Sequence, residues 1–255
     1  MGRAFPIGRL CGIRLDVQAS WFAIFAFLTL TIANVSPQGA PGNGMTYALA
    51  ALTALAVFSS VVVHELAHAL VARRFGVRTR SITLFLFGGV ATIEAELPTP
   101  LADGLVAVAG PVASAALALL VYGGMVLGAR AGMPGTLTEL LAYVAIANAV
   151  LAVFNLIPAY PMDGGRVLRA LIWQLRRDRD GATATASLVG IAFAGAFGIA
   201  GIVAAAATRT WQFGWYVVLA AFLLRQCWTQ YGALRHRPAL IPALAGPTVT
   251  LSGAP

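Results

Sequence analysis

His64, Glu65 and His68 stand in the order His-Glu-Leu-Ala-His within a run, Ala48 to Val71, that is otherwise almost wholly apolar. If that run is a helix, positions four apart share a face, and the two imidazoles can hold one metal ion between them. Glu65 beside them can then act as base towards a metal-bound water. Ionisable groups at membrane depth are costly unless paired or hydrated, so these three are functional candidates by default. A catalytic zinc usually takes three protein ligands and keeps one open position.

The third ligand must come from elsewhere in the chain. The remaining histidine, His236, sits in Arg235-His236-Arg237, where flanking cations disfavour a metal; it reads as a surface residue. Asp103 opens an apolar stretch as a helix-start residue would. Glu139 falls at the outer end of another stretch, and Glu94 and Glu96 belong to a strand-like run. That leaves Asp163, in Asn155-Leu156-Ile157-Pro158-Ala159-Tyr160-Pro161-Met162-Asp163-Gly164-Gly165-Arg166. Its prolines and glycines break the helix, and broken helices at membrane depth are tolerated where they line a cavity or pack on protein. The competing reading of Asp163 is a turn aspartate paired with Arg166 or Arg169. Asn155 could donate to an oxyanion or hold a substrate carbonyl; it could equally make a helix–helix hydrogen bond, the reading given to Asn148.

The elements that must position these groups are membrane spans. The 255 residues are 59% hydrophobic and 10% charged, where a soluble domain is about a quarter charged. The fold class expected is an all-α polytopic membrane protein with about six transmembrane helices and a small membrane-associated β-hairpin. Apolar stretches run roughly 18–34, 46–72, 102–128, 138–173, 182–207 and 211–231. The first is read as a retained span, because no small-x-small cleavage site follows it. The formal net charge of +8 is carried by arginine alone, and no basic stripe interleaved with aromatics argues for nucleic acid. Arginines gather at 3–14, 73–80, 176–179 and 235–237, whereas the intervening loops carry only Arg130 and Arg209. Alternate loops are therefore basic, which places both termini in the cytoplasm. His64 then lies nine residues before Arg73, about 13 Å from the inner surface. Arginine without lysine and abundant alanine suggest a high-GC bacterial source, hence a bacterial plasma membrane. Cys11 and Cys227 match no disulfide or metal pattern and read as isolated thiols.

Between the second and third spans, Ile82–Phe87 and Val90–Glu96 are strand-like and flank Gly88-Gly89. This predicts a β-hairpin over 82–96, with Phe87 opposite Val90 and Phe85 opposite Thr92. Ile13, Leu15 and Val17 alternate, so a short strand near the N-terminus could join the same sheet.

With these residues assembled, the chain resembles the site-2 protease family of intramembrane zinc metalloproteases. The likeness rests on His64-Glu65-x-x-His68, Phe87-Gly88-Gly89-Val90, Ala109-Gly110-Pro111, and Asn155 through Gly165, in the family's order over roughly residues 10–175. The resemblance implies one zinc per chain held by His64, His68 and Asp163, with Glu65 as general base. It implies that Asn155 binds substrate or stabilises the oxyanion. Phe87, Gly88, Gly89 and Val90 would belong to a sheet that takes the substrate as an added strand. The implied substrate is a transmembrane segment of another protein, such as an anti-sigma factor or a membrane-tethered regulator, cut in regulated intramembrane proteolysis. Residues 1–237 would form the integral-membrane metalloprotease domain and 238–255 a flexible tail. Only 86 residues separate His68 from Asn155, too few and too apolar for an inserted PDZ domain. The likeness is greatest to the branch that often carries a C-terminal CBS pair; after about residue 237 only a short Pro/Ala/Gly/Thr-rich tail follows, so either this member lacks the module or the module lies beyond residue 255. A metal transporter would need polar residues along a path to both faces, and the outer half of the fourth stretch is nearly bare of them. A non-cleaving relative would not need the full set of catalytic groups, and a metal-free bundle would leave Glu65 and Asp163 uncompensated.

Overall fold

The computed structural model describes residues 4–35, 44–210 and 213–235. The expected tail at 238–255 and His236 lie outside them. Among the described residues the order is β1 (Ala4–Leu10), β2 (Ile13–Gln18), α1 (Ala19–Val35), α2 (Gly44–Arg74), β3 (Thr79–Phe85), β4 (Gly88–Ile93), α3 (Pro100–Arg130), α4 (Gly135–Asn155), α5 (Asp163–Arg176), α6 (Arg179–Thr208) and α7 (Gly214–Arg235). Helices α2, α3, α4 and α6 are long and apolar enough to cross a membrane, and α1 is a shorter apolar helix. The fourth expected stretch is two helices: α4 stops at Asn155, and α5 starts afresh at Asp163. The prolines of the intervening segment cannot donate to a helical ladder, which is why 138–173 does not form one span.

The four strands form one sheet in the order β1-β2-β3-β4, with β2 and β3 parallel and the outer pairs antiparallel. The N-terminal strand is present as β2, with Ile13, Leu15 and Val17 buried. Ile13, Leu15 and Ile82 pack on Ala69, with Val62, Leu66 and Ala91 around them. The sheet is thus seated on α2, the helix that carries His64 and His68. The hairpin turn differs from expectation. Phe85 pairs with Gly88 and Leu84 with Gly89, so the turn is Leu86-Phe87 and both glycines belong to β4. A backbone angle and a contact fit this register. Gly88 has φ of +128°, which suits the exit of a tight turn. Gly89 lies where a Cβ would come within 2.7 Å of Glu65 Cγ, so that strand position needs a residue without a side chain.

Helix α3 starts at Thr99, whose Oγ1 accepts from Ala102 N at 3.1 Å, followed by Pro100. Asp103 is therefore not the helix-start residue; it is fully buried and ion-paired, as described below. Helix α6 offers a stripe of small residues, Ala182, Ala186, Gly190, Ala194 and Gly201, all buried. Such a stripe lets helices approach closely where lipid removes the hydrophobic drive between them. Gly198 faces Ala220 and Gly201 faces Tyr216, both on α7.

Candidate metal centre

On α2, His64 and His68 share one face, as the four-residue spacing requires, and both are buried. Opposite them α3 brings Gly110 and Ser114, also four apart. A Cβ at Gly110 would overlap His68 Nε2 and come within 2.6 Å of His64 Nε2, so only glycine leaves the space between the helices open. His68 Nδ1 lies 2.6 Å from the carbonyl oxygen of Val106. A carbonyl only accepts, so Nδ1 carries the proton, and Nε2 of the neutral ring presents a bare lone pair. His64 Nδ1 lies 2.9 Å from the hydroxyl of the fully buried Ser114. Each ring is thereby oriented from behind, as metal-binding imidazoles usually are.

Asp163 arrives from the other side as the first residue of α5. Segment 156–162 folds back over that helix start, and Gly164 and Gly165 permit it. A Cβ on Gly164 would run into the Leu156 and Ile157 carbonyls, and one on Gly165 would come within 2.6 Å of Tyr160 Cα. Inside the segment Met162 N donates to Ala159 O at 3.0 Å, and Arg166 N donates back to Met162 O at 3.2 Å. Cys227 of α7 donates its thiol proton to Tyr160 O at 2.8 Å, satisfying a carbonyl that the broken helix leaves over. Cys11 and Cys227 are both free thiols.

Asp163 Oδ2 stands 3.1 Å from His64 Nε2 and 3.1 Å from His68 Nε2, and the two nitrogens are 3.2 Å apart. A carboxylate oxygen and two imidazole nitrogens, at least one without a proton, converge on one point. Edges of this length belong to a tetrahedron whose centre is about 1.9 Å from each corner, close to the ordinary zinc bond length of about 2.0 Å to nitrogen and carboxylate oxygen. The donor set and its spacing fit one zinc, and the three atoms could hold one metal ion together.

The centre opens into a cavity of about 520 Å³. Glu65 lines it but stands outside the three-atom cluster. Phe87, Gly88, Gly89 and Val90 form its hairpin wall, and Asn155 lies on the α4 side. Asn155 Nδ2 donates to Leu151 O at 2.9 Å, within its own helix. Asn148 makes the helix–helix bond expected of it, donating to Ser60 Oγ of α2 at 2.9 Å. Phe87 stacks on Phe222 of α7 at 4.1 Å and faces Trp215 at 6.0 Å.

Two features were not foreseen. Ser114 repeats on α3 the four-residue step of the histidines from Gly110, a signal that Gly110 alone did not reveal. Asp103, with no exposed surface, accepts from Arg169 at 2.9 Å (Nε to Oδ2) and 2.6 Å (Nη2 to Oδ1). Here two arginines three residues apart, next to the suspected ligand Asp163, called for a buried acid.

Peptidase family M50 matches residues 52–130 and 124–197 of the chain. The chain is 36% identical over 86% of its length to "Putative zinc metalloprotease sll0528" of Synechocystis sp., covering 59% of that protein. It is 37% identical over 70% of its length to "Putative zinc metalloprotease Rip3" of Mycobacterium tuberculosis, covering 46% of it. The chain thus spans about half the length of these relatives. In fold it is similar to the solved site-2 protease of Methanocaldococcus jannaschii, with a TM-score of 0.61 at 23% identity, over 90% of this chain and 95% of that one.

Proposed function

The chain belongs to peptidase family M50, the site-2 protease family, and from that premise we propose that it is an intramembrane zinc endopeptidase. Its substrate would be the membrane-spanning segment of another protein, cut at a peptide bond within or beside that segment. His64 Nε2, His68 Nε2 and Asp163 Oδ2 would hold the zinc. Bound there, zinc supplies a Lewis acid that polarises a peptide carbonyl and makes water acidic enough to ionise near neutrality.

The chain's own groups supply the rest. Glu65 borders the cluster in the same cavity, so its carboxylate accepts the proton of the attacking water and returns it to the departing amine nitrogen. The substrate must first lose its helix, because helical carbonyls are bonded internally. Strand β4 is an edge of the sheet, and its outer backbone groups can pair with an added strand. Gly89 on that strand lies against Glu65, so a segment paired there would pass the general base. Asn155 gives one amide proton to Leu151 O; its second is available to a substrate carbonyl from the opposite wall. Phe87 and Val90 offer apolar surface to the substrate's side chains. We read the chain as a multi-pass protein of a bacterial plasma membrane with cytoplasmic termini and 1–237 as its catalytic domain. Water then enters along the cavity wall that carries Arg166 and Arg169.

One observation carries this reading: two distant segments bring three metal-type ligands together in a cavity that Glu65 and an open strand edge share. The test is cleavage of tagged single-span substrates by the purified, zinc-loaded chain in detergent. Wild type should cut, Glu65→Gln should not cut while keeping its zinc, and His68→Ala should lose both. Cutting by Glu65→Gln at the wild-type rate would overturn the assignment.

A further inference from the structure

We propose that Asp103, Arg166 and Arg169 form a partly buried ionic clamp that positions Asp163 and thereby sets the affinity of the centre for its metal. The proposal rests on the reading of His64, His68 and Asp163 as zinc ligands. Asp163 is the first residue of α5, directly after the broken segment, and its side-chain partners are His64 and His68 on α2 and Arg166 on α5. Asp163, Arg166 and Arg169 are spaced three apart and fall along one side of α5, facing α3. There Arg169 grips Asp103 through both carboxylate oxygens, the two-pronged geometry that fixes a guanidinium in place.

Arg166 joins the two acids. Its Nη2 lies 3.4 Å from Asp103 Oδ1, and its Nη1 lies 3.9 Å from Asp163 Oδ1. The oxygen nearest Arg166 is the one not directed at the histidines; Oδ2 faces both Nε2 atoms. The clamp therefore assigns the two oxygens of Asp163 different tasks, one on the arginine and one on the metal. Gly104, beside Asp103, faces the Cβ of Ala170 next to Arg169, so backbones are close where the clamp closes. These three are positioning residues, acting on the centre through Asp163.

Two simple ideas predict opposite signs. Coulomb repulsion alone says that removing a cation near the centre tightens zinc binding. A positioning role says that it loosens binding, by about 10–100-fold, as loss of a ligand's supporting partner generally does. The experiment is competition for zinc between a chromophoric chelator and the full chain in detergent. Arg166→Gln is the first variant, because it leaves the Asp103–Arg169 pair intact. Arg179→Gln is the control. Arg179 lines the same cavity but pairs with Glu96 and stacks over Trp173, away from Asp163.

The expected result is at least tenfold weaker zinc binding in Arg166→Gln and no loss in Arg179→Gln. In an Asp163→Ala background, Arg166→Gln should change the residual affinity less than twofold, since its target is gone. Asp103→Asn, which strands two arginines, should weaken zinc binding at least as much. Equal or tighter binding in Arg166→Gln would overturn the clamp alone, as would an equal loss in Arg179→Gln or an undiminished effect in the Asp163→Ala background. Wild-type chain that binds no zinc would overturn the metal reading and the clamp with it.

Discussion

The two walls of the cavity are held together in different ways. On the metal side, α2, α3 and α5 are fastened by directional bonds to buried groups: His68 to Val106 O at 2.6 Å, His64 to Ser114 at 2.9 Å, and Arg169 to Asp103 at 2.6 and 2.9 Å. On the hairpin side, β3–β4 meets α7 through stacked rings. Phe87 lies on Phe222 and against Trp215, and Trp215 continues to Phe27 of α1 at 6.2 Å. A hydrogen bond fails within a few tenths of an ångström, whereas stacked rings can slide and stay in contact. A centre that must keep three ligand atoms at 3.1–3.2 Å from one another sits on the first kind of wall. The second kind would suit the side past which the proposed membrane-spanning substrate would move.

The contrast can be broken most severely at Gly110. Gly110→Val should abolish zinc binding and cleavage together without touching a ligand, because its side chain would occupy the space between the two Nε2 atoms. Zinc content by elemental analysis checks this, and near-normal zinc would show that α3 can retreat and that the metal wall is softer than described. Ser114→Ala is a smaller blow to the same wall. Removing the group behind His64 should weaken zinc binding by about tenfold, the lower end for a supporting partner, with helix content by circular dichroism unchanged. On the other wall, Phe222→Ala removes one stacked pair worth about 0.5–1.5 kcal/mol. It should leave zinc affinity within twofold and change KM for a membrane substrate by a few-fold. A Phe222→Ala chain with impaired zinc binding would mean that the two walls are mechanically one.

How much of this was legible beforehand follows the same division. The metal side could be read from residue types, because imidazoles and carboxylates inside apolar runs have few other uses and the i, i+4 step fixes a face. His64 and His68 do share that face, and Asp163, reached largely by elimination, meets them. The break in the 138–173 stretch was legible from its length, prolines and glycines, and it does divide the stretch into α4 and α5. Asp103 was misread because a carboxylate at the start of a helix is usually a surface group; its burial depends on arginines more than 60 residues later. The hairpin was legible as two strands, but its turn was misplaced by assigning Gly-Gly to the loop. Tertiary contact decided that register: Gly89 is needed against Glu65, and no local rule contains that neighbour. Strand β1, exposed along its length, carried no burial pattern to reveal it.

The candidate metal centre joins α2 to the start of α5, with its residues 95 to 99 apart in sequence. The most direct test is the amount of zinc bound per purified chain in wild type and in Asp163→Ala. About one zinc is expected in wild type, and its loss or marked weakening in Asp163→Ala, with the helical fold of both intact. A folded wild type without zinc, or zinc held equally well after Asp163→Ala, would contradict it.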